Sequence, residues 1–283
     1  MKGWIKGQVS DREGLIKLLS REEWNQLHFS SSLYEKRTFR LVHNGSVYIL
    51  KDRHPKQLKG AFYITRGGAL HSCFEPSDLR REDLDYLEKH LQELNIFSFI
   101  GRSDRVKLIE ELYHSCDCYG IDYDLMVKEI SAAEARLGSG YTLRRVGLED
   151  LELLYPLEEA YQREEVLRDP SRLDRRFLKR KFQSQLESQF IWAVFKGGRP
   201  VAKGGTNAIG FRYCQLGGVY TIPSERGRGL GRAIINRIGE ELAKEKWGTS
   251  LFVRKDNRAA LKLYQNCGYE RKGDFRIVYP ENN

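Results

Sequence analysis

Between Gln215 and Trp247 the chain places three glycines and two arginines where a strand gives way to a helix. Val219-Tyr220-Thr221-Ile222 is β-rich, and Pro223, which has no N–H to give a sheet, ends it. Ser224-Glu225-Arg226-Gly227-Arg228-Gly229-Leu230-Gly231 is the turn; Ile234, Ile235, Ile238 and Leu242 then recur at helical spacing. Such an arrangement suits an anion. Glycines admit positive φ and put no side chain between the main-chain amides and a ligand. The first amides of a helix have no partner within it, and its end carries about half a positive charge. Phosphate or pyrophosphate is the matching chemistry, and Arg226 and Arg228 add charge at the same place.

The spacing separates this turn from two other phosphate loops. No Gly-Lys-Ser/Thr follows, so it is not a P-loop, and Arg232 breaks the dinucleotide pattern G-x-G-x-x-G. Arg226-x-x-Gly229-x-Gly231, after a strand and opening a helix, resembles the pyrophosphate loop of the GNAT superfamily, the acyl-CoA-dependent N-acetyltransferases. A second stretch, Asn257-x-x-Ala260-x-x-Leu263-Tyr264-x-x-x-Gly268-Tyr269, is similar to another hallmark of that family and begins 26 residues after Gly231.

The resemblance implies a set of roles. Acetyl-CoA is the co-substrate, with no metal. Main-chain groups of Val219 and Thr221 pair with its pantetheine arm, and the N–H of Val219 or Tyr220 faces the thioester carbonyl. Arg226, Gly227, Arg228, Gly229, Leu230 and Gly231 hold the pyrophosphate; Asn257 binds the coenzyme or positions the loop around it. Tyr264 is the general acid for the departing thiolate, since a phenol of pKa about 10 can protonate a thiol-level anion held against it. The acceptor is a primary amine of a small molecule. An amine of pKa about 10 is almost fully protonated at neutral pH, so a base is needed. Glu165, or its neighbour Glu164, is the candidate base, with a water chain as the other option. Tyr161 and Tyr220 line the acceptor pocket. A non-catalytic acyl-CoA sensor or scaffold stays open, as does a homodimer mediated by the N-terminal half.

The elements that must position these residues form an α/β chain in two parts. The resemblance covers residues 139–283 and implies a mixed central sheet with splayed strands flanked by helices. Its elements are a strand over 141–146, a helix over 148–167 kinked or split at Pro156, a helix over 171–188, a hairpin from Phe190 across Lys196–Pro200, and a strand over 215–222. The loop and long helix follow, then a strand over 249–253, a helix ending at Gly268 and a last strand pair. Residues 1–138 read as a smaller mixed α/β domain with the order of a degenerate GNAT-like unit, as in tandem proteins of the family. It comprises a helix over 11–19, a hairpin over 39–50 turned at Asn44-Gly45, strands over 60–65 and 69–74, and a helix to about Leu94. A strand over 96–100, a helix to Leu112, a strand over 119–126 and a helical spacer over 127–137 complete it.

Composition bounds the partners. The chain has 283 residues, 40% hydrophobic and 31% charged, with no run long and apolar enough to span a bilayer and no apolar signal core after Met1. A cytoplasmic protein is expected, with no membrane partner. Five scattered cysteines, Cys73, Cys116, Cys118, Cys214 and Cys267, suit reduced thiols better than a disulfide framework or a zinc knuckle. From Ser139 onward there are 27 Lys and Arg against 18 Asp and Glu, whereas the first half is balanced at 21 and 21. That asymmetry fits a polyanionic coenzyme; nucleic acid has the same sign. The basic run 172–181 carries Leu173, Phe177 and Leu178 at helical spacing, with Phe182 just beyond, so it reads as a helix whose long cations lie over a core rather than a nucleic-acid surface.

Overall fold

In the computed structural model, residues 3–33, 45–51, 57–113, 118–130, 134–167 and 169–280 are described. They form a mixed α/β structure in two compact units. The first comprises residues 1–126, 252–258 and 271–283, the second residues 127–251 and 259–270. The boundary expected near residue 138 thus falls inside the second unit, and the C-terminal segment groups with the first.

The first unit holds β1 (Trp4–Lys6), α1 (Arg12–Leu19), α2 (Leu27–Leu33), β2 (Gly45–Lys51), β3 (Leu58–Thr65), β4 (Ala69–Phe74), α3 (Arg81–Gln92), β5 (Ser98–Arg102), α4 (Ser103–Leu112) and most of β6 (Cys118–Lys128). The last strand of the chain, β12 (Glu270–Pro280), lies beside β5. Pairing is antiparallel from β1 through β4, parallel between β4 and β5, and antiparallel between β5 and β12, with Ile277 opposite Ile100. Trp4, Phe62, Phe74, Leu87, Leu91, Phe99, Ile109 and Val278 share one core. The hairpin expected at Asn44-Gly45 has its turn outside the described residues, as does Cys116; β2 starts at Gly45. The helical spacer is absent from the described part of 127–137. Val127 and Lys128 extend β6, and residues 134–137 have no regular structure. Leu125, Met126 and Val127 are all buried, and a short, fully apolar run has no helical period to detect.

The second unit runs from β7 (Tyr141–Val146) through α5 (Leu151–Tyr161), α6 (Arg175–Ser188), β8 (Ile191–Lys196), β9 (Arg199–Ile209), β10 (Tyr213–Thr221), α7 (Leu230–Lys244) and the start of β11 (Gly248–Arg254) to α8 (Arg258–Asn266). Its strand order is β11-β10-β9-β8-β7, parallel between β10 and β11 and antiparallel elsewhere. Leu154, Phe182, Leu186, Ile191, Ala193 and Phe195 pack under α5 and α6. α7 buries Leu230, Ala233, Ile234, Ile235, Ile238 and Leu242, the apolar stripe its sequence spells out. Among the described residues no helix is long and apolar enough to cross a membrane.

Candidate functional site

β10 is irregular on both edges. Against β11 it pairs Tyr213 with Gly248, Cys214 with Thr249 and Gln215 with Ser250, and no further pair between the two is recorded among the described residues. From Leu216 to Thr221 that edge of β10 carries no ladder pair among the described residues. Against β9 the register jumps between Gly217, opposite Gly205, and Tyr220, opposite Lys203. Gly218 and Val219 make up this bulge, Gly218 with φ +62°. A bulge of this kind re-aims main-chain groups that a regular ladder would consume. The methyls of Val219 face Gly204 and Gly231, which leave room for them.

The turn after β10 is tied down by a carboxylate. Glu225 is 8% exposed and accepts from Tyr141 Oη at 2.5 Å and Lys196 Nζ at 2.7 Å; Arg228 Nε lies 3.1 Å away. Beyond this anchor, Gly227 and Gly229 both have φ +76°, the left-handed region that glycine enters freely. A Cβ at either would meet no atom within 4 Å, so conformation rather than crowding requires glycine there. Gly229 is the N-cap of α7 and no side chain caps the helix; the first return bond runs from Ala233 N to Gly229 O. The amides of Leu230, Gly231 and Arg232 lie in the first helical turn, which has no internal acceptors for them. At Gly231 a Cβ would lie 3.2 Å from Leu263 Cδ2, so glycine here lets α8 approach α7.

Both loop arginines are engaged by carboxylates. Arg226 donates through Nη2 to Glu164 at 2.6 Å and through Nε to Thr221 O at 3.0 Å, while Arg228 pairs with Glu225. The charge at the turn is thus smaller than the two arginines alone imply. Hydrogen bonding to Arg226 holds the Glu164 carboxyl below its ordinary pKa, and Tyr220 Oη adds a bond of 2.9 Å. That leaves Glu164 an ionised partner of Arg226 and a weak proton acceptor.

Tyr264 sits half-buried on α8, edge-on to the Tyr269 ring at 5.8 Å, and Tyr269 Oη is hydrogen-bonded to Thr249 Oγ1 at 2.8 Å. Burial, then Cys267 and Glu165, push the Tyr264 phenol above its ordinary pKa. Glu165 is therefore within electrostatic reach of Tyr264. It lies on a π-helical turn over residues 162–166, closed by Leu167 N to Gln162 O at 2.9 Å, which continues α5. Pro156 stands inside α5 without ending it. π-turns are rare and concentrate at functional sites. Asn257 donates its amide to Arg254 O at 3.0 Å in the turn before α8, within the segment grouped with the first unit.

Neither Glu158, one of several carboxylates on α5 and its continuation, nor Lys203, on β9, is marked as a site residue by type or spacing alone. Both are 3% exposed and form an ion pair of 2.7 Å. Gln162 Nε2 donates to Glu158 Oε1 at 2.8 Å, and Lys203 Nζ to Gly218 O at 3.0 Å. Lys203 also stands 4.5 Å over the Tyr161 ring. These groups wall a cavity of about 190 Å³ reached also by Gln185, Asn207 and Gly217. Tyr161 lines it; Tyr220 does not, being 5% exposed with its ring 6.2 Å from that of Tyr161. The signal was a lone charge inside Val201-Ala202-Lys203-Gly204-Gly205, where every neighbour is small or apolar. In α6 the basic run buries Leu178 and Phe182, but Phe177 is 59% exposed rather than part of the core. Among the described residues, Cys73 and Cys267 are free thiols.

Residues 151–269 match the family model described as Acetyltransferase (GNAT) family. Comparison with curated proteins gives no match. Among solved structures, a Drosophila protein shares 14% identity over 98% of each chain with a TM-score of 0.71. A GCN5-related N-acetyltransferase-like protein from Streptococcus suis shares 15% over 96% of this chain and 99% of its own, with a TM-score of 0.58. A tandem GNAT protein from the clavulanic acid biosynthesis pathway shares 12% over 98% of this chain and 97% of its own, with a TM-score of 0.56. At these identities the likeness concerns fold, and it extends over nearly the whole chain.

Proposed function

We propose, from the match of residues 151–269 to the GNAT acetyltransferase family model, that the chain moves an acetyl group from acetyl-CoA to a primary amine of a small molecule by direct attack. One observation carries the reading: the uncapped N-terminus of α7, preceded by two left-handed glycines, directly follows the unpaired edge of β10. The donor set fits the coenzyme. Amides of residues 227–231 and the helix dipole suit a diphosphate, and the unpaired edge of Leu216–Thr221 suits the amide-bearing pantetheine arm. The coenzyme supplies an activated acyl group as its thioester.

The remaining roles belong to side chains already in place. Tyr264 stays protonated through the neutral range, as a proton donor to a leaving thiolate must be. Glu165 is suited to take the proton of the attacking amine, directly or through water. The cavity beside Tyr161 is assigned to the acceptor, and the protein is assigned to the cytoplasm. Thiol release from acetyl-CoA, measured with the purified chain against a panel of small amines, tests the reading. Amine-dependent thiol release is expected. Coenzyme binding without release for any amine favours a non-catalytic acyl-CoA sensor instead.

A further inference from the structure

Lys203 reaches across the bulge of β10 instead of serving its own position in the sheet. Its Cα is in register with Tyr220, yet its ammonium donates to Gly218 O at 3.0 Å and to Glu158 at 2.7 Å. Glu158 is in turn held by Gln162. Gly218 is suited to this contact twice over: its φ is +62°, and a Cβ there would lie 3.2 Å from Lys203 Nζ. The peptide between Gly218 and Val219 is planar and trans, so the carbonyl of one and the N–H of the other point in opposite directions. Anchoring Gly218 O therefore dictates where the Val219 N–H is aimed. Val219 has no register partner on β9, whereas Tyr220 has Lys203.

We propose that the buried Glu158–Lys203 pair is a positioning device which, by holding Gly218 O, directs the Val219 amide at the oxygen of the reacting thioester. The proposal rests on the acetyl-transfer reading and narrows the oxyanion donor from two candidate amides to one. Stability alone gives little reason for the pair. Removing two charges from water costs several kcal/mol each, and apolar residues of similar volume often serve as well or better. Orientation is a different matter. A donor must already be aimed at the developing oxyanion, because a misdirected amide has to reorganise during the reaction. Neither Glu158 nor Lys203 has to touch the acyl group for this.

The test uses the full chain and a ketone analogue of acetyl-CoA in which a methylene replaces the thioester sulfur. Binding is followed by the amide proton shift of Val219 and by calorimetry, in the wild type and in the charge-free double variant Glu158→Gln/Lys203→Met. The wild-type Val219 amide is expected to move downfield on binding. In the variant this shift is expected to vanish while the dissociation constant stays within about two-fold. If that variant does not fold, Glu158→Leu/Lys203→Met fills the same space without buried polar groups. An equal shift in wild type and variant overturns the proposal and leaves the acetyl-transfer reading standing, as does a wild-type Val219 amide that does not move although the analogue binds. Absence of analogue binding to the wild type overturns the acyl-CoA reading itself, and the proposal with it.

Discussion

Arg226 Nη2 and Glu164 Oε1 are 2.6 Å apart, so the arginine at the head of the glycine turn before α7 is bonded to a carboxylate of the π-helical turn that continues α5. Both side chains are more than one-third exposed, which limits such a pair to about 1 kcal/mol or less. In the proposed coenzyme complex a diphosphate competes with Glu164 for this guanidinium. Glu164→Gln is therefore expected to tighten acetyl-CoA binding by about two- to five-fold, the range that energy allows. Calorimetry at fixed ionic strength reads this directly, and weaker binding by the variant would show that Glu164 instead holds Arg226 in its productive place.

In the proposed reaction Tyr264 gives the acid proton and Glu165, as the base, takes one. Tyr264→Phe is expected to lower turnover by about 10²-fold, the scale of a lost general acid, while acetyl-CoA affinity changes less than about two-fold. Burial raises the phenol above its ordinary pKa, so the acid stays loaded below pH 10 and no alkaline limb from it should appear there. A Phe variant with unchanged turnover would move the acid role to water or to another group.

In the first unit, His71 is buried and stacked on His28 at 5.4 Å between ring centres. Burial, with His28 adding a smaller repulsion, takes its pKa down from 6.5 to about 3. The unfolded chain binds this proton below pH 6.5 and the folded chain refuses it until about pH 3. Stability is thus complete above pH 6.5 and falls through that window by up to about 1.4 kcal/mol per pH unit. Denaturant unfolding at pH 7 and pH 5 should show a loss in the wild type that His71→Leu largely removes. An unchanged loss in the variant would assign the acid sensitivity to carboxylates.

What the sequence disclosed was local. Gly227 and Gly229 announce their backbone through residue type alone, and Ile234, Ile238 and Leu242 announce the helix behind them through spacing. Lys203 and Glu158 lie 45 residues apart. Only the register of β9 on β10 and the packing of α5 bring them together, and no local rule encodes either. The place of β12 beside β5 is non-local in the same way, since residues 275–278 pair with residues 99–102, some 175 positions earlier. Phe177 shows the converse error: helical spacing places a residue near the apolar face, but the buried stripe of α6 runs through Leu178, Phe182 and Leu186 and passes it by. The bulge at Gly218 was hidden because Gly217-Gly218 inside a strand marks some irregularity without saying which amide it frees.

Coenzyme binding at the start of α7 is the claim on which the chemistry depends. Isothermal titration of the full chain with acetyl-CoA, beside the double variant Arg226→Glu/Gly229→Glu, tests it most directly. One molecule of acetyl-CoA per chain should bind the wild type, and the variant, with carboxylates placed among the amides of the turn, should lose that binding. Equal binding to both proteins, or none to either, would contradict the account.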